Sequence, residues 1–136
     1  MGRYVERIQY WLALASEELG TFTDAYRVGQ LFNAMDDIDI LRAYELEGEK
    51  GVIAYCISDD MLGGFAVCEL FMYIKPECRG NIRLFKELVQ HLEDIAKENN
   101  CSCVKIASNI GYNDDSVLKI LQRWGYKVDT VTKRVN

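Results

Sequence analysis

The sequence predicts a mixed α/β fold, with a mixed, mostly antiparallel sheet flanked by helices. Three observations predict it. Apolar residues recur at helical spacing at both ends of the chain. Between them lie three strand-like runs whose connections are too short for anything but antiparallel pairing. Late in the chain, strand and helix patterns alternate, which implies parallel pairing there. The 136 residues suit one domain over 1–136. A domain of roughly 150 residues buries about 70% of its unfolded surface, so the core needs no staple.

The elements follow in order. Tyr4, Ile8, Trp11, Leu12, Ala15 and Leu19 form one apolar face, and Gly20 ends that first helix. Thr23 or Asp24 can cap a second helix, which runs to about Met35 on Val28, Leu31, Phe32 and Met35. Asp36, Asp37 and Asp39 break its pattern. Strands are expected at Ile40–Leu46, Val52–Ile57 and Phe65–Ile74, with turns at 48–51 and 58–64. Pro76 ends the third strand. A long helix is expected from Asn81 to Asn99, with Phe85, Leu88, Val89, Leu92, Ile95 and Ala96 on its inner stripe. Val104–Ala107 reads as a short strand. A last helix capped by Asp114 or Asp115 buries Val117, Leu118, Leu121 and Trp124 and ends at Gly125. Tyr126–Val135 reads as a final strand.

Composition narrows the function. A formal net charge of −5 argues against a nucleic-acid surface, which needs a basic stripe, and suits a cationic acceptor. The five cysteines are odd in number and follow no secretory signal, so reduced thiols in a cytoplasm are expected. Cys101-x-Cys103 and the single histidine, His91, do not make the two ligand pairs of a closed zinc site, so no metal is expected. No apolar run reaches the ~20 residues of a membrane span. Met1-Gly2 is followed by Glu6 where a myristoylation signal has Ser or Thr.

The segment from Ile74 to Leu84 carries the chemistry. A strand runs into a short loop, and the loop opens a long helix. Backbone N–H groups at a helix start have no internal partner, and the helix dipole adds positive character, so a phosphate fits there. Arg79 and Arg83 flank the position and can add charge-assisted bonds. A capped turn with surface arginines is the plain alternative. In the preceding strand, regular alternation places Glu69, Phe71 and Tyr73 on one face and Cys68, Leu70, Met72 and Ile74 on the other. Glu69 reads either as a solvated carboxylate or as a buried one with a raised pKa.

These residues carry a family resemblance. Ile74-x-Pro76-Glu77-x-Arg79-Gly80 resembles the acetyl-CoA loop of the GCN5-related N-acetyltransferases, Arg/Gln-x-x-Gly-x-Gly/Ala, with Arg79 and Gly80 in its leading positions. Asn113 to Tyr126 resembles that family's Asn-rich helix, which ends in Gly-Phe or Gly-Tyr. The resemblance covers most of the chain and is strongest from about Phe65 to Tyr126. Short phage-encoded members carry a similar Arg-Gly-Asn loop, which suggests a phage source and, with it, the host cytoplasm. The sequence departs from the family at Ile82 and Leu84, where small residues are usual, and at Leu121, where many members have the tyrosine that protonates the leaving thiolate. The usual first strand is not evident before Tyr4.

The resemblance implies an acetyl-CoA-dependent transferase that moves an acetyl group to a primary amine by direct transfer. It implies acetyl-CoA contacts at Met72, Ile74, Arg79, Gly80, Asn81, Ile82, Arg83 and Leu84. Asn113 would meet the pantetheine arm and Lys119, one turn from Arg123, the 3′-phosphate. Glu69 is the implied proton acceptor. Tyr126 is the implied acid, with Tyr73 and Tyr112 as alternatives. Cys78 beside Arg79 is a further nucleophile candidate, although direct transfer needs none. The acceptor is a small-molecule amine or a protein lysine, with no nucleic-acid or membrane partner; the oligomeric state is open, a dimer included. The rival reading is a degenerate, non-catalytic protein of the same fold with a binding or structural role.

Overall fold

The computed structural model describes residues 3–20, 25–107, 114–128, 133 and 135. Its elements are helices α1 (Arg3–Leu19) and α2 (Ala25–Asp37), strands β1 (Leu41–Glu45), β2 (Gly51–Asp59) and β3 (Phe65–Ile74), a short 3₁₀ turn (Pro76–Cys78), helix α3 (Ile82–Glu98), strand β4 (Cys103–Lys105) and helix α4 (Asp114–Arg123). The expected order therefore appears as far as α4, with α2 carried two residues further than its apolar pattern. The Asp39 N–H donates to the Asp36 carbonyl and the Ile40 N–H to the Met35 carbonyl, so the acidic residues close the helix rather than precede its end. The expected caps Thr23 and Asp24 lie outside the described residues. Of the expected final strand, Tyr126–Val128 are not strand, and 129–132 and 134 lie outside the described residues.

The sheet has the order β1-β2-β3-β4. β1, β2 and β3 pair antiparallel, and β4 returns after α3 to pair parallel with β3. This is the mixed, mostly antiparallel sheet that the short early connections and the late crossover predicted.

Strict alternation along β3 fails. Ala54 pairs with Phe71, but Tyr55 pairs with Glu69, so Leu70 is an extra residue, a β-bulge. The bulge turns the strand over. Val67, Met72 and Ile74 lie in the core under α3, whereas Leu70, Phe71 and Tyr73 pack toward α1 and α2. Glu69 stands opposite Tyr55, itself in the α3-side core, so its face is that of Val67 and Met72. The expected grouping of Glu69 with Phe71 and Tyr73 is corrected accordingly.

Both faces of the sheet are covered, which explains why β2 is apolar almost throughout. On one face Trp11, Ile8 and Val5 of α1 are fully buried with Leu41, Val52 and Ala54. Each large apolar side chain so buried contributes about 1.5–3 kcal/mol. The Glu45 carboxylate pins α1 to β1, accepting from Arg7 Nε at 3.0 and 3.1 Å and from Trp11 Nε1 at 2.6 Å. On the other face Phe85, Leu88, Val89 and Leu92 of α3 and Leu121 of α4 close the larger core. The α4 terminus follows the glycine signal. Gly125 has φ +93°, its N–H donates to the Gln122 carbonyl, and the Tyr126 N–H reaches back to the Leu121 carbonyl. That double bond pattern is the Schellman stop.

Candidate functional site

The sheet opens beside the loop. β4 pairs with β3 only over Ala66–Cys68, while β3 continues to Ile74. Past Cys68 no described strand lies on that side of β3, so its edge carries backbone donors and acceptors at strand spacing. Glu69 stands where the strands part. It is 5% exposed, and its Oε1 accepts the Ala107 N–H at 3.0 Å. The carboxylate is thus buried and held, not on a solvated face.

The loop follows at the end of β3. The Cys78 N–H donates to the Lys75 carbonyl and the Arg79 N–H to the Pro76 carbonyl, closing the turn. Gly80 then takes φ +88°, a left-handed conformation that an L-residue adopts only with strain. A Cβ placed there would meet nothing within 4 Å, so this side of the loop is open. Asn81 caps α3: its Oδ1 accepts the Arg83 N–H at 3.1 Å and its carbonyl accepts the Leu84 N–H. Among the described residues, the N–H groups of Gly80, Asn81 and Ile82 donate to no protein acceptor. Three successive donors therefore stand at the positive end of a 17-residue helix.

The two arginines differ. Arg79 does not face the loop mouth: its Nε donates to the Ile74 carbonyl at 2.9 Å, and Nη1 and Nη2 each donate to Glu18 at 2.6 Å. The Tyr73 hydroxyl donates to the same carboxylate at 2.7 Å. The Arg79 guanidinium holds the Glu18 carboxyl below its usual range; burial, then this bond, pushes the Tyr73 hydroxyl up to about 12. Sequence reasoning missed Glu18, because nothing in a helix pattern marks which carboxylate of its last turn meets a loop sixty residues on. Arg83 is exposed, and its guanidinium has no protein partner among the described residues.

The other expected residues divide. Met72 and Ile74 are buried in the α3-side core, so only their backbone faces the open edge. Leu84 packs against that core as well, while Ile82 is half exposed at the first turn of α3. Lys119 and Arg123 lie on the exposed face of α4. Asn113 and Tyr112 lie outside the described residues. The Tyr126 hydroxyl donates to Glu93 Oε2 at 2.8 Å, and burial together with that carboxylate raises its pKa. Leu121 is buried in the core. Cys78 is half-buried against the same core, and all five cysteines are free thiols. Among the described residues no helix is long and apolar enough to cross a membrane.

No protein-family model and no curated protein matches the sequence. Solved structures do match the fold. A ribosomal-protein-alanine N-acetyltransferase from Brucella melitensis biovar Abortus 2308 aligns at a TM-score of 0.65 and 15% identity, covering 98% of this chain and 94% of its own. Glucosamine-6-phosphate N-acetyltransferase from Arabidopsis thaliana aligns at 0.66 and 15%, covering 99% and 94%. A predicted acetyltransferase from Clostridium acetobutylicum, solved with acetyl-CoA, aligns at 0.65 and 18%, covering 98% and 87%. The chain has the fold of the GCN5-related N-acetyltransferases, as the loop and helix motifs implied.

Proposed function

We propose that the protein is an acetyl-CoA-dependent N-acetyltransferase that acts on a primary amine by direct transfer. The observation that carries this reading is the row of three N–H donors at Gly80, Asn81 and Ile82, opening α3 beside a strand edge that pairs with no described strand past Cys68. The residues present fit the cofactor. Backbone lines the loop at Gly80, so a pyrophosphate can approach the amides closely. The edge of β3 past Cys68, which pairs with no described strand, offers strand-like hydrogen bonds to the pantetheine amides.

When bound, acetyl-CoA supplies an activated acyl group whose transfer to nitrogen needs no covalent enzyme intermediate. The chain supplies position and a proton acceptor. The Gly80, Asn81 and Ile82 amides hold the pyrophosphate, and exposed Arg83 adds charge. Lys119 is the proposed partner of the 3′-phosphate. Glu69 takes the proton of the attacking amine, a role that contributes about 10²–10⁴-fold when well placed. Positioning of the two reactants supplies the rest. Tyr126 is reassigned to structure, since its hydroxyl is committed to Glu93 and its proton is held more tightly than usual.

The test is release of free thiol from acetyl-CoA across a panel of polyamines, amino acids, aminoglycosides and lysine peptides. Amine-dependent release that Glu69→Gln reduces is expected. Binding of acetyl-CoA with no release by any amine would contradict the transferase reading.

A further inference from the structure

We propose that Glu18 is a positioning residue for the cofactor loop: through Arg79 and Tyr73 it locks the turn before Gly80 to the end of α1, and so fixes where the loop amides point. This rests on the cofactor reading above.

Glu18 is out of place by local rules. It lies in the last turn of α1, which carries no basic residue, and a carboxylate at a helix C-terminus opposes the helix dipole. The tertiary contacts offset this. Both carboxylate oxygens are used: Oε1 accepts from Tyr73 Oη and Arg79 Nη2, and Oε2 from Arg79 Nη1. The fork-on-fork geometry fixes the guanidinium in direction as well as distance. Its remaining nitrogen, Nε, closes back on the Ile74 carbonyl at the start of the turn. Arg79 also lies over the Tyr73 ring, 5.4 Å from its centroid, and Lys75 lies 5.8 Å from the Trp11 ring of α1.

The consequence falls on the next residue. Gly80, with φ +88°, is flexible by nature and faces open space where a side chain would stand. The cap at Asn81 and the first turn of α3 set the N–H groups of Asn81 and Ile82, but no contact of its own sets the direction of the Gly80 N–H or the path by which the turn enters the helix. The braced Arg79 sets them from behind. The first arginine of the loop is therefore a strut, and phosphate recognition is left to backbone amides and Arg83. Turning Arg79 toward an anion would break three charge-assisted bonds at once.

The test is a calorimetric titration of CoA, and of pantetheine, which lacks the pyrophosphate. The proteins are the wild type, Glu18→Gln, Glu18→Ala, Arg79→Gln and the Glu18→Ala/Arg79→Gln double variant, with circular dichroism as the folding control. CoA affinity should fall about tenfold in Glu18→Ala, the equivalent of one charge-assisted bond. Arg79→Gln and the double variant should match it, because two ends of one strut are not additive. Pantetheine binding should not move, and the amides of Cys78 and Arg79, which close the turn, should exchange hydrogen faster. Should Glu18→Ala fail to fold, Glu18→Gln keeps the shape and should show the same preference for damage to CoA over pantetheine. Wild-type binding of CoA with unchanged affinity in folded Glu18 variants overturns the inference and leaves the cofactor reading standing. Equal loss for CoA and pantetheine also overturns it. Failure of the wild type itself to bind CoA overturns both.

Discussion

The Glu69 carboxylate and the Ala107 amide are joined across the gap where β3 and β4 part, with Oε1 accepting the N–H at 3.0 Å. A side chain here takes the place of a ladder bond. It lets the strands diverge while a buried carboxylate keeps a donor, a bond worth about 1.5–3 kcal/mol when one partner is charged. The bulge at Leu70 follows at once and directs Glu69 toward the α3 side.

Under the proposed function Glu69 has two duties, this bond and proton acceptance, which substitution can separate. Glu69→Gln keeps an acceptor for Ala107 and removes the charge. It should unfold within about 1 kcal/mol of wild type, while amine turnover falls by about 10²–10⁴-fold. Glu69→Ala removes the bond as well and should lose a further 1–3 kcal/mol or so of stability. Chemical denaturation and thiol release read the two effects. Equal turnover in wild type and Glu69→Gln would remove the proton-acceptor role.

The acid limb of stability should report Glu18 and Glu45. Both have folded-state pKa values lowered, Glu18 first by Arg79 and Glu45 first by Arg7. Groups of that sign stabilise the fold above their unfolded pKa of roughly 4.3, and the gain is lost as pH falls through the folded values. Denaturation midpoints should be flat near neutrality and drop below about pH 4.5. Glu18→Gln and Glu45→Gln should each flatten that drop. A variant with an unchanged acid limb would mean that its carboxylate is not ion-paired in solution.

The loop should prove more sensitive to backbone than to charge. Gly80→Ala places its Cβ in open space but keeps φ positive, a strain of about 1–2 kcal/mol, and it sits where a pyrophosphate would approach. It should remain folded and lose more than about tenfold in CoA affinity. Arg83→Ala removes one exposed charge, worth about 1 kcal/mol or less, and its effect should shrink as salt rises. The reverse order in a titration would make this a side-chain clamp.

Elements that depend on local pattern were legible in the sequence. β3 spans Phe65–Ile74 as its apolar run indicated, α3 lies within one residue of the expected Asn81–Asn99, and Gly125 stops α4. The bulge was not legible, because an extra residue in an apolar strand leaves the composition unchanged and flips only the facing; this is why Glu69 was grouped with the wrong neighbours. The site was legible as a segment but not as a set of contacts. The motif alone points Arg79 toward the anion, and its bond to a carboxylate sixty-one residues earlier leaves no trace in the local pattern. The Asn81 side chain caps the helix through the Arg83 N–H, a role that the loop motif does not signal, while its own N–H stays without a protein acceptor among the described residues.

If this helix start holds the cofactor's pyrophosphate, thermal unfolding with and without acetyl-CoA will show it. A ligand that binds only the folded chain stabilises it by about 2.7 kcal/mol at a concentration near 100 times its dissociation constant. The account predicts a rise in Tm that grows with acetyl-CoA concentration in the wild type and is reduced in Gly80→Ala. An unchanged Tm at millimolar acetyl-CoA, in a sample whose unfolding is otherwise cooperative, would contradict it.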